Sequence, residues 1–85
     1  MSIEQQVRDY ILENFLFTND AAALANDASF LEKGIIDSTG VLEMIFFLEQ
    51  EFALKVADKE MIPENLDSVN NIVRYVQSKQ AGVAS

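Results

Sequence analysis

The chain has 85 residues, 14 acidic side chains against 6 basic ones, a formal charge of -8, and no histidine, cysteine or tryptophan. Hydrophobic residues make up 49% of it, enough for one small core and one domain rather than a disordered tail. The missing residues exclude a disulfide framework, a zinc–thiolate site, a thiol nucleophile and a histidine base, and the charge excludes nucleic acid, whose phosphates it would repel.

Four segments carry a helical period, and none a sustained strand alternation. The first spans about Ile3 to Leu16, where Ile3, Val7, Tyr10, Ile11, Asn14 and Phe15 recur on one buried face. Ser2 is its expected N-cap, with Gln5 as the capping-box partner. A long connection from Phe17 to Asp37 follows, and loops of that length in a small domain are often functional. Within it, Ala21 to Ala25 suits a short helical turn, and Ser29-Phe30-Leu31-Glu32 reads as a capping box that starts another, broken by Gly34. Phe30, Leu31, Ile35 and Ile36 are expected to pin the connection to the core.

The second principal helix is expected over Ser38 to Phe52, with Val41, Met44, Ile45, Leu48 and Phe52 as its apolar stripe. A short third element is expected from Ala57 to Glu64, ended by Pro63, the only proline. The last helix is expected over Ser68 to Ser78, capped by Asp67 or Ser68 and burying Val69, Ile72, Val73 and Val76. The fold class is therefore all-α: a small bundle of three principal helices and one short helix, with a long first loop. Residues 1–79 are expected to form the single domain and 80–85 a disordered tail.

The chemistry concentrates in Gly34-Ile35-Ile36-Asp37-Ser38-Thr39-Gly40-Val41-Leu42-Glu43. An Asp-Ser pair opens an amphipathic helix behind an apolar, glycine-broken loop. Either residue suits an ordinary N-cap. A hydroxyl at that position also faces outward, where the helix N-terminus favours an attached anion by about 0.3–1 kcal/mol. No histidine exists to deprotonate Ser38, which suits a serine modified by another enzyme and not a catalytic one.

This segment resembles the attachment site of acyl carrier proteins and the related peptidyl and aminoacyl carriers. The resemblance covers nearly the whole chain. It includes the length, the long first loop, Leu31 and Gly34 before the motif, Leu48-Glu49-Gln50-Glu51-Phe52, and the Val69, Ile72 and Val76 of the last helix. It implies a four-helix bundle whose Ser38 carries covalent 4'-phosphopantetheine, taken from coenzyme A by a phosphopantetheinyl transferase. Asp37 would belong to the surface that enzyme recognises. The arm would present acyl intermediates as thioesters to enzymes of a lipid, polyketide or specialised pathway. Two positions depart from the family pattern: Thr39 stands where a bulky apolar residue is common, and Gly40 where fatty-acid carriers often have an acid. The Gly-Ile-Ile-Asp-Ser spacing is similar to D-alanyl carriers, which leaves aminoacyl or peptidyl cargo as the alternative to an acyl chain and points away from a housekeeping fatty-acid biosynthesis role.

Leu42 and Phe46 lie four residues apart on the flank of the second stripe. They form either an apolar docking patch or a surface packed under the first loop. With Thr39, Glu43, Glu49 and Gln50 around it, the patch would suit acyl- or aminoacyl-handling enzymes with basic docking surfaces. Without an arm, it would still serve a helical interaction module, a reading of a different class. Phe47 is either packed on the last helix or exposed. Met44, Ile45, Leu48, Met61 and Ile62 line a cargo cleft or belong to the plain core. No metal motif is present, no segment approaches the roughly 20 apolar residues of a membrane span, and the polar start has no signal-peptide pattern. The expectation is a cytoplasmic, monomeric carrier that is not itself an enzyme.

Overall fold

The computed structural model describes residues 2–83, and among them every regular element is helical. Helix α1 (Ile3–Ile11) opens on Ser2, whose Oγ accepts from the Gln5 N–H at 3.1 Å, and it buries Val7 and Ile11. After Ile11 the helix widens into one π-helical turn, Leu12–Leu16. The turn ends at Phe17, which has a positive φ of 53°, and the Thr18 N–H returns to the Leu12 carbonyl at 3.0 Å. The helical path over 3–16 is thus continuous, but the wide turn shifts its register. Leu12 is buried, Phe15 half-buried, and Asn14 is exposed rather than part of the buried face, its Nδ2 donating to the Tyr10 carbonyl at 2.9 Å.

The connection to α3 is anchored at several points. Arg8 donates to the carbonyls of Ala21 and Leu24 at 2.7 and 2.8 Å, and Asn26 accepts at its carbonyl from the Asn70 N–H at 3.0 Å. Leu24, Phe30 and Ile36 are buried, whereas Leu31 is exposed and Ile35 half-buried. Ser29 caps the one-turn helix α2 (Phe30–Lys33), and Gly34 at φ 68° closes it in the left-handed region that glycine enters freely.

Helix α3 (Ser38–Phe52) starts where its periodicity indicates and buries Met44, Ile45 and Leu48. It ends at Ala53, after which Leu54 and Val56 turn into the core. The element expected over 57–64 is instead two short pieces. A 3-10 turn occupies Asp58–Glu60, and Pro63 opens helix α4 (Pro63–Leu66) rather than ending a helix. Proline has no N–H to lose at a first helical position, and its fixed φ suits that place.

Helix α5 (Val69–Val83) is capped by Ser68, whose Oγ accepts from the Asn71 N–H at 3.1 Å. It buries Val69, Ile72, Tyr75 and Val76, with Val73 half-buried, and packs on α1 and α4. It runs past Ser78, so residues 80–83 of the expected tail are helical, while 84 and 85 lie outside the described residues.

Candidate functional site

Three local devices present Ser38. Gly34 ends α2, Ile36 is sunk into the core, and Asp37 accepts the Gly40 N–H on its Oδ1 at 2.7 Å, so Asp37 and not Ser38 is the N-cap. Ser38 becomes the first residue of a 15-residue helix, and it is exposed. Its own N–H and that of Thr39 sit at the open helix tip, ahead of the first intrahelical donors. Gly40 is buried against the π-helical turn that follows α1: a Cβ there would lie 2.8 Å from Phe15 Cε1 and 3.0 Å from Ile36 Cγ2. The departure at this position is therefore a packing requirement of this chain, which brings the start of α3 against the wide turn of α1.

Beside Ser38 opens an apolar cleft of about 240 Å³. Phe30 and Leu31 of α2 form one wall, Val41 of α3 a second, Met61 and Ile62 a third, and Leu66 closes it at the end of α4. Met61 and Ile62 are 36% and 41% exposed, which is high for residues of their type flanking a core. Asp67 also touches the cleft, but its carboxylate is engaged. Oδ1 accepts the Leu31 N–H at 3.0 Å, Oδ2 accepts the Ser29 hydroxyl, and the Asp67 carbonyl takes the Phe30 N–H at 2.8 Å. Met61 and Ile62 are the members of the expected cleft set found here. Met44, Ile45 and Leu48 are instead buried in the core and do not line the cleft. Phe30, Leu31, Val41 and Leu66 carry no local signal for this role, because their meeting depends on three separate chain segments.

On the outer face of α3, Leu42 and Phe46 are 61% and 63% exposed, so neither packs under the first loop. Thr39, Glu43 and Gln50 are exposed around them. Glu49 is half-buried, and its Oε2 accepts the Val56 N–H at 3.0 Å, tying down the chain after α3. Phe47 is half-buried and packs on α1: its ring stacks on Tyr10 with centroids 4.0 Å apart and meets Phe52 edge-on at 6.1 Å. Burial, followed by the charge of Glu43, pushes the Tyr10 phenol above its ordinary value.

Among the described residues no group of three or more metal-capable side chains converges, and no helix is long and apolar enough to cross a membrane. The site is thus an exposed hydroxyl on a rigid helix tip, an apolar cleft beside it, and an apolar ridge on the same helix. No family model matches the chain. An acyl carrier protein of Campylobacter hominis is 30% identical to it over 78 residues, covering 92% of this chain and 94% of that protein. With that extent of likeness, and an all-helical fold that opens its long helix on Asp37-Ser38, the chain belongs to the acyl carrier protein family.

Proposed function

We propose that this protein is a carrier whose Ser38 Oγ is esterified with 4'-phosphopantetheine and which presents acyl groups as thioesters to other enzymes. The observation that carries this reading is the exposed Ser38 at the first position of α3, at the mouth of an apolar cleft. The residues present suit the group. The N–H groups of Ser38 and Thr39, ahead of the first intrahelical donors, would suit a phosphodiester on the Ser38 hydroxyl, and Asp37 caps the helix through the Gly40 N–H and not through that hydroxyl. When bound, the arm supplies a terminal thiol that bears the cargo. The chain's own residues position, shelter and display it; the transfer chemistry belongs to partners, so the protein is not an enzyme.

The cleft lining favours an apolar acyl chain over the aminoacyl alternative. Its lining is mostly hydrocarbon, and the Asp67 carboxylate that touches it is turned to the Ser29 hydroxyl and the Leu31 N–H. The phosphopantetheinyl transferase and the acyl-handling enzymes would dock on α3, seating Leu42 and Phe46 in an apolar notch and meeting Glu43 with Lys or Arg. Thr39, Glu49 and Gln50 complete that face. The reading is of a monomeric carrier domain in the cytoplasm. The test is intact mass after incubation with coenzyme A and a promiscuous phosphopantetheinyl transferase. Wild type gains one phosphopantetheinyl unit and Ser38→Ala gains none; unmodified wild type overturns the reading.

A further inference from the structure

The Met61–Ile62 wall of the cleft sits on a stretch with little apolar anchorage. Val56 and Leu66 are buried, but no side chain between them is. The stretch is fastened instead by one carboxylate oxygen. Glu60 Oε1 accepts the Ala57 N–H at 2.9 Å, which closes its own turn, and also the Tyr75 hydroxyl at 3.1 Å and the Lys79 ammonium at 2.9 Å, both from α5. The Glu60 carbonyl takes Asn65 Nδ2 at 2.9 Å. The other side-chain tie to α5 is the longer bond from Asn71 Nδ2 to the Pro63 carbonyl, at 3.3 Å. Met61 and Ile62 follow Glu60 directly, and the Ile62 carbonyl accepts the Asn65 and Leu66 N–H at 3.0 and 3.2 Å, so the two residues are held by the Glu60 carboxylate on one side and by α4 on the other.

We propose that Glu60 is a positioning residue that latches the Met61–Ile62 wall to α5 and thereby sets how readily the cleft opens to a cargo chain. The claim about cargo rests on the carrier reading above; the latch itself does not. Charge-assisted hydrogen bonds are stronger than neutral ones, and three donors converge here on one acceptor. The groups that face it are Tyr75 and Lys79 from α5, with Asp58 and Lys59 beside it in the turn and Glu49 of α3 acting on Tyr75. The Ala57 N–H, and next the Lys79 ammonium, hold the Glu60 carboxyl below its ordinary value. A lowered folded value means that the latch is complete above the ordinary carboxyl range and is released as pH falls through the lowered one.

The experiment is amide hydrogen exchange by NMR on the unmodified chain, corrected for intrinsic rates. In Glu60→Ala the Ala57, Glu60 and Met61 amides are expected to exchange roughly tenfold faster, while buried amides of α1 and α5 change much less. Glu60→Gln keeps a neutral acceptor, so it should recover most of that protection and lose the acid-dependent release that wild type shows. Tyr75→Phe, the milder change, should give a smaller rise confined to the same amides, and it decides the matter if Glu60→Ala does not fold. On acylated protein, hydroxylamine should cleave the thioester faster in Glu60→Ala than in wild type. Unchanged exchange at 57–62, or equal acceleration throughout the core, overturns the latch. Equal thioester cleavage overturns its link to cargo. Failure of Ser38 to accept the arm would overturn the carrier reading and leave the exchange result standing.

Discussion

Gly40 passes Phe15 so closely that a Cβ at residue 40 would sit 2.8 Å from the Phe15 ring carbon Cε1. An alanine there gains up to about 1 kcal/mol of helix propensity, but a contact that short forces the ring or the helix tip to move. Overpacking costs about 1–3 kcal/mol and wins. Gly40→Ala should therefore lower the melting temperature, and Gly40→Ala combined with Phe15→Ala should cost less than the sum of the two single changes. A stability gain in thermal denaturation of Gly40→Ala would refute the packing argument.

Asp67 reaches back 36 and 38 residues to the Leu31 N–H and the Ser29 hydroxyl. It supplies acceptors to the start of α2 from the end of α4. Asp67→Ala leaves those donors without their partner, at about 1–3 kcal/mol. The loss should appear in chemical denaturation and be accompanied by faster amide exchange at Phe30 and Leu31. Unaltered exchange there would mean that α2 holds itself.

Tyr75 makes stability depend on alkaline pH. Burial, next the hydrogen bond to Glu60, and then the charges of Glu60 and Glu49 push its phenol above the ordinary value of 10.0. A raised folded value favours the neutral form, so its contribution is whole below that ordinary value and is lost as pH rises beyond it. Tyr75→Phe should cost about 0.5–1.5 kcal/mol at neutral pH and flatten the decline above 10.0. Tyr10, raised by burial and by Glu43, leaves a residual slope. Denaturation midpoints of both proteins across that range are the check.

Leu42 and Phe46 are exposed, so truncating them removes little buried area. Leu42→Ala and Phe46→Ala should change stability by less than about 0.5 kcal/mol. Transfer of the arm to Ser38, by contrast, should slow at fixed transferase concentration. Full transfer rates in both variants would place the docking face elsewhere.

Much of this molecule was legible one segment at a time. Ser2 and Ser29 cap their helices, and the caps of α3 and α5 narrow to the pairs Asp37/Ser38 and Asp67/Ser68, from which the structure selects Asp37 and Ser68. Gly34 stops α2, and the spacing of Met44, Ile45 and Leu48 marks the buried face of α3. Such signals act within one or two turns of chain, so no distant neighbour is needed to read them. The Asp37-Ser38 pair at the head of α3 belongs to the same class. Pro63 was the local signal with two meanings, since proline both stops one helix and starts another.

The sequence by itself determined the all-helical bundle class and the placement of Ser38 at a helix tip. Only the tertiary structure decided what surrounds it. Val41 and Leu66 share a cleft, Phe47 stacks on Tyr10, and Glu60 fastens to α5 because helices far apart in the chain pack side by side. A residue's period says which face it occupies but not which element will cover that face. Leu42 and Phe46 illustrate the point, for they share the apolar character of Met44 and Leu48, yet among the described residues no helix packs over them.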